Sequence, residues 1–346
     1  MEKRRYGRRF ALLTLAFALV FLGSFLPGRY MVSAGNTVRI LCDRVLRGIS
    51  AGRLHLAESW TTQEASAVQN VRLPRIAAAA LIGAGLSAAG CAYQGMFRNP
   101  MVSPDLLGAS TGAGFGAALG ILIGAGYALT TGLSFAFGLI AVALAYFIGR
   151  KSHIRSNLAM VLAGVMVGSL FSSGTAFLKL IADTQEQLPA ITYWLMGSLS
   201  AVRLREVHFA IVPILLGLLP LLLFRWRLNL LSVSEAEARS MGVDTGKLRL
   251  LVIVCATLVT AGSVSISGMI GWVGLVVPHI CRLLFGHDQR RLLPASMLLG
   301  STFLMLVDDV ARTVSARELP IGILTSLLGA PLFLYLIITG GSEREA

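Results

Sequence analysis

The sequence predicts an all-α, polytopic membrane bundle of about ten transmembrane helices, and three observations carry that reading. Hydrophobic residues fill 55% of the 346 positions while charged residues fill 14%. The mean hydropathy is +0.75. Apolar runs recur along the entire chain and leave no interval for a sizeable soluble domain. A spanning helix needs about 20 apolar residues to cross roughly 30 Å of hydrocarbon. Runs of that kind are centred near residues 20, 83, 115, 139, 170, 216, 257, 276, 303 and 331, so residues 1–346 read as one transmembrane domain.

The first run, ALLTLAFALVFLGSFL after the basic MEKRRYGRRF, continues to about Tyr30 without a convincing small-residue cleavage site. It is read as a retained first span rather than a signal peptide. Residues 31–70 form the one long external segment. Within it, Val38, Leu41, Val45 and Leu46 fall at helical spacing with Arg39, Asp43, Arg44 and Arg47 between them. That pattern fits an amphipathic helix on the outer interface, with a plain surface loop as the alternative. The second run opens as NVRLPRIAAAALIGAG, with Arg72 and Arg75 either side of a Leu-Pro step. In the third, Gly108, Gly112, Gly116, Gly120 and Gly124 recur every four residues and leave one stripe bare for close helix packing. Pro213, Pro220, Pro278 and Pro294 lie within or beside later runs, where neighbouring helices must satisfy the freed carbonyls.

Ten spans put both termini on one side. If that side is the cytoplasm, the inner regions collect 18 Lys and Arg, the outer regions 11, and Lys179 lies inside a span. The positive-inside rule favours this orientation. The net charge of +13 is then an excess at loops and lipid headgroups, and does not argue for nucleic acid. Cys42, Cys91, Cys255 and Cys281 lack metal-site or disulfide-framework spacing and read as small packing residues.

An energy source is missing from the chain. The nearest string to a phosphate-binding loop, Gly242 to Lys247 in GVDTGKL, has the wrong spacing and lacks the following Ser or Thr. No catalytic residue, metal site or cofactor is expected, and the chain is not read as an enzyme. Asp308, Asp309 and Lys179 come closest to intramembrane charges, but their places near the outer ends of spans favour interfacial solvation. Between the sixth and seventh spans, residues 228–246 form a polar cytoplasmic segment. Ser232 with Glu235, and Ser234 with Glu237, have capping-box spacing, and Gly242 suits a helix stop.

Four stretches together resemble the FecCD family of ABC-importer permeases: NVRLPRIAAAALIGAGLSAAGCAYQGMFRNPMVSPDLLGASTGAGFGA, LLSVSEAEARSMGV, GSVSISGMIGWVGLVVPHICRLLFGHDQRRLLPASMLLG and ELPIGILTSLLGAPLFLYLI. The resemblance implies a type II importer permease fold in the bacterial or archaeal cytoplasmic (inner) membrane, paired with a second copy as a homodimer or with a paralogous permease. It implies two ABC ATPase subunits below and a periplasmic or lipid-anchored substrate-binding protein above.

Residue by residue, Arg72, Arg75 and Arg312 match outward-facing positions that meet acidic residues of the binding protein. Glu235, Ala236, Arg239 and Gly242 fall in the segment that couples to the ATPase. Asn99 and Met101 match one cytoplasmic gate, and Asn157 and Leu158 a second, where the cobalamin permease has small hydroxyl residues instead. The implied cargo is an iron(III)-siderophore, with haem, cobalamin, molybdate or tungstate carried by relatives. Two other classes make different demands. An ion-coupled secondary transporter needs an indispensable buried carboxylate, and an assembly scaffold needs no gates.

Overall fold

A computed structural model describes residues 2–50, 56, 59–152, 157–231, 237, 240–315 and 318–340. Helices occupy all ten expected places. They are α1 (Glu2–Gly23), α3 (Leu73–Phe97), α4 (Ala109–Leu122), α5 (Tyr127–Lys151), α6 (Asn157–Ile181), α8 (Leu204–Leu223), α9 (Thr245–Ser267), α10 (Val273–Phe285), α11 (Gln289–Thr313) and α12 (Ile321–Gly340). Seven of these are long and apolar enough to cross a membrane, while α4, α10 and α12 provide shorter apolar stretches. Among the described residues, two further helices of nine residues or more do not span, α2 (Ala34–Ile49) and α7 (Gln187–Leu195), and shorter ones cover Thr62–Ser66 and Arg225–Leu228.

The first span is shorter than the hydropathy implied. α1 stops at Gly23, because Pro27 and Gly28 follow too closely for another regular turn, and Ser24 to Val32 runs on as turns and irregular chain. α2 is amphipathic, with one side packed on the protein and the other exposed. Thr37, Ile40 and Asp43 are buried, while Val38, Val45 and Ile49 are exposed. Thr61 and Glu64 form a capping box at Thr62–Ser66, and a π-helical turn over Ala67–Arg72 leads directly into α3.

α3 is the axis of the bundle. Ala78, Ala79, Ile82, Ala88, Ala89, Cys91 and Tyr93 are all buried along it, and it packs against α8, α9, α10 and α11. Its small residues permit this. A Cβ on Gly83 would lie 2.7 Å from the Gly300 carbonyl carbon of α11, and one on Gly90 would lie 2.9 Å from the Gly274 Cα of α10.

The glycine stripe on α4 divides into two roles. Gly112 and Gly120 press on α5, where an added Cβ would meet the Phe137 carbonyl oxygen at 2.5 Å and the Thr130 Cα at 2.9 Å; Gly116 meets the Leu133 carbonyl between them. Gly108 and Gly124 instead sit at the helix ends with φ of +84° and +67°, and Gly124 has nothing within 4 Å of its would-be Cβ. Two of the five glycines therefore supply left-handed backbone rather than contact. Three cysteines are buried as packing residues, but Cys42 is exposed on α2.

Contacts between helix termini define two ends. At one, the end of α1 meets the start of α3, the end of α11 and the approach to α12. At the other, the end of α3 meets the chain beyond α8 and the α10–α11 turn.

Candidate functional site

At the first end, the sequence concentrates charge on two helix termini, and the fold brings those termini together below the surface. Arg72, Arg75 and Arg312 are 4%, 3% and 6% exposed. Arg75 Nε donates to Asp308 Oδ1 at 2.7 Å and its Nη1 to Glu318 Oε2 at 2.7 Å. Arg312 Nε lies 3.3 Å from Asp308 Oδ2, and its Nη2 pairs with Asp309. Arg312 also donates to the carbonyls of Ser24, at 3.0 Å, and Pro27, at 3.3 Å.

Arg72 has a different task. It donates to the carbonyls of Phe25, Leu26 and Tyr30, the backbone acceptors left open where α1 unwinds. Gly28 makes room for it, since a Cβ there would lie 2.8 Å from Arg72 Nη2. A guanidinium fork suits this work because it can satisfy several acceptors while staying charged.

These positions correct two expectations. The three arginines do cluster, but they are buried among the chain's own partners and form no exposed cationic rim. Asp308 is 1% exposed, so pairing with two guanidinium groups, not interfacial solvation, accounts for it. Three cations face three anions, and that balance is what makes such a burial tolerable.

At the second end, Gln94 is the hub. Its Nε2 donates to the carbonyls of Val102 at 3.1 Å, Gly274 at 3.3 Å and Leu275 at 3.3 Å, and its Oε1 accepts from Arg282. The turn that carries Asn99 and Met101 is thereby tied to α10. Asn99 Oδ1 accepts from the Met101 amide at 2.9 Å. Met101 is exposed, as is Leu158 at the start of α6, while the Asn157 side chain lies outside the described set. Among the described residues, no hydrogen bond joins the two expected gate positions.

The segment expected to couple to an ATPase is anchored at its edges. Arg98, in left-handed backbone at φ +53°, closes α3 and donates from Nε to the Leu231 carbonyl at 2.9 Å. Asn229 donates to Asp288 Oδ1 at 2.8 Å and accepts from the Gln289 amide at 2.8 Å. Burial pushes Asp288 up, but the Arg290 amide, Asn229 and nearby arginines outweigh it and hold the carboxyl below its ordinary range. Asp244 caps α9 through the amides of Gly246 and Lys247. The Lys247 amide is the main cause of its lowered pKa. Glu235, Ala236 and Arg239 lie outside the described residues. Gly242 has φ +76°, as a helix stop requires.

Sequence reading missed Gln94, Asn229 and Asp288. Gln94 had the local signal of a lone amide in an otherwise apolar helix. Asn229 and Asp288 had none, because their pairing spans 59 residues.

Comparison with known proteins adds a full-length likeness. Residues 15–339 match the FecCD transport family. The molybdate import system permease protein MolB of Haemophilus influenzae is 40% identical across 99% of this chain and all of that protein. A probable iron chelatin transport system permease of Helicobacter pylori strain 26695 is 43% identical across 78% of this chain and 82% of its own. A solved structure, described as an inward-facing conformation of a metal-chelate type ABC transporter, superposes with a TM-score of 0.84. That protein is 38% identical, covering 98% of this chain and all of that one.

Proposed function

The chain belongs to the FecCD transport family, and from that premise we propose that it is the permease subunit of a binding-protein-dependent ABC importer. It carries an iron(III)-siderophore or related metal chelate inward by alternating access. The observation that carries this reading is the full-length agreement of fold and sequence with a metal-chelate ABC transporter. ATP is hydrolysed on separate partner subunits, because this chain has no phosphate-binding loop. Both termini lie in the cytoplasm, and two permease copies form the pathway.

The surface of α6 supports the pairing. Ser169, Ser172 and Ser173 are exposed halfway along this 25-residue apolar helix. Hydroxyls at that depth are better placed against a second permease or a water-filled passage than against lipid. The ATPase engages residues 228–246, which the Arg98–Leu231 and Asn229–Asp288 bonds fix to helices α3 and α11. Motion of a partner bound there would pull on both helices and, through Gln94, on the Asn99–Met101 turn. Asn157 and Leu158 then serve as the second inner constriction.

The substrate-binding protein docks at the opposite end. The buried arginines shape that surface from beneath by holding the α1 exit, the α3 entry and the α11–α12 turn together. Asp308 is a buried carboxylate, the group an ion-coupled carrier requires. Two arginines hold it as a fixed counter-ion here, which leaves it unsuited to proton or sodium exchange.

The test is reconstitution of the permease with its ATPase and binding protein in proteoliposomes. Chelate uptake should require ATP and the binding protein. Uptake driven by an ion gradient without ATP would overturn the assignment.

A further inference from the structure

Two adjoining hollows open at the end of the bundle that carries the arginine network's helix termini. The first, about 380 Å³, lies between the α4–α5 turn, α7 and the end of α9. The second, about 480 Å³, lies beside the π-helical turn and the start of α8. They share Tyr127, Ser200 and Ala201. Each falls in the size range of small-molecule sites, about 300–1,000 Å³, and a single tetrahedral oxyanion would leave most of either space unfilled.

The lining chemistry is distinctive. Ser198 Oγ donates to Ser200 Oγ at 3.0 Å, and the Tyr193 hydroxyl lies 3.4 Å from the first and 3.5 Å from the second. Trp194 supplies an aromatic wall. Among the described residues, no charged side chain lines the first hollow. In the second, Arg203 stands beside Glu206, which accepts from the Arg203 amide at 3.0 Å. A bare dianion would therefore find no cation in the first hollow and only the exposed Arg203 guanidinium in the second. An organic ligand rich in carbonyl, hydroxamate or hydroxyl oxygens would find rotatable hydroxyl donors and aromatic faces.

We propose that the paired hollow is a resting site for an organic, oxygen-rich metal chelate, held by the Tyr193–Ser198–Ser200 hydroxyls against Trp194. This inference rests on the importer reading and narrows its cargo to organic chelates over free oxyanions. The experiment titrates the purified full-length permease with a ferric trihydroxamate, and separately with sodium molybdate, while tryptophan fluorescence is followed. The chelate should quench saturably, and Trp194→Phe should remove most of the saturable signal.

Ala201 is exposed, so Ala201→Phe should fold normally while blocking the junction of the hollows, weakening the chelate at least tenfold. Ser198→Ala with Ser200→Ala, which deletes two neutral hydrogen bonds, should weaken it about tenfold. An absent saturable quench, an unchanged affinity in Ala201→Phe, or molybdate saturating the same signal at the same concentrations overturns the site. ATP-driven uptake, measured after the same permease is reconstituted with its ATPase and binding protein, separates the two readings: uptake retained without the binding signal removes this site and leaves the importer standing.

Discussion

Asp308→Asn is the sharpest probe of the buried charge network. The wild-type carboxylate sits between Arg75 at 2.7 Å and Arg312 at 3.3 Å, with 1% of its surface exposed. Asparagine keeps an oxygen for the Arg75 Nε but removes the charge, which leaves three buried cations facing two anions. Breaking a buried pair by neutralising one partner costs about 3–5 kcal/mol. The retained hydrogen bond argues for the lower end of that range, about 3 kcal/mol. At about 1.4 kcal/mol per factor of ten, the loss corresponds to roughly a hundredfold faster inactivation, provided the network is absent from the unfolding transition state.

The assay is the half-life of the detergent-solubilised permease at a fixed temperature, since membrane proteins of this size unfold irreversibly and a rate is the meaningful quantity. Glu318→Gln is the internal control. Its carboxylate is 25% exposed, water can compensate, and the change should cost no more than about 1 kcal/mol. Adding Arg75→Met to Asp308→Asn restores the charge balance and should recover part of the loss. An Asp308→Asn half-life equal to that of Glu318→Gln would refute the claim that burial and pairing set the energetics here.

Other outcomes follow from the same geometry. Arg72→Lys keeps the charge but cannot span the carbonyls of Phe25, Leu26 and Tyr30, so protease sensitivity of the 24–33 stretch should rise while the rest of the bundle stays protected. Gly112→Val drives a Cβ to 2.5 Å from the Phe137 carbonyl and should abolish accumulation of folded protein in the membrane, whereas Gly124→Asn, at an open left-handed position, should be tolerated. Asp288→Ala removes a cap worth about 1 kcal/mol. Because the folded pKa lies below the ordinary 3.8, that difference should be full above about pH 4, then fade as acid protonates the wild-type group. On the proposed coupling role, in which the bond to Leu231 transmits motion rather than attaching the partner, Arg98→Ala should lower ATP-driven uptake several-fold while ATPase binding persists.

The ten helices were legible because each announces itself within its own stretch of chain, by hydropathy and length. So was the close approach of α4 to a neighbour, since a glycine at every fourth residue is a local pattern. Its partner was not, and neither were the different duties of Gly108 and Gly124, which depend on backbone angles that the repeat conceals. α7 went unread because nine residues between two longer runs carry too little periodicity to separate from a loop. Hydropathy overextended α1 because Leu26 and Tyr30 are apolar in composition, yet their carbonyls serve Arg72 rather than a continuing helix.

The arginines show where one-dimensional charge reading fails. Arg72 and Arg75 stand in sequence as two cations facing a solvent-accessible boundary, and Arg312 as a third, because their counter-charges lie elsewhere in the chain. Asp308 is 233 residues from Arg75 and Glu318 is 243. Once folded, the cluster is close to electroneutral, so long-range steering of an acidic partner cannot come from these groups without first breaking their internal bonds. A docking surface built over them must draw its charge from exposed positions such as Arg203 and Arg205. Salt dependence of binding-protein association should therefore respond to Arg203→Glu and Arg205→Glu. Replacing Arg75 should instead lower the amount of folded permease before any effect on association can be measured.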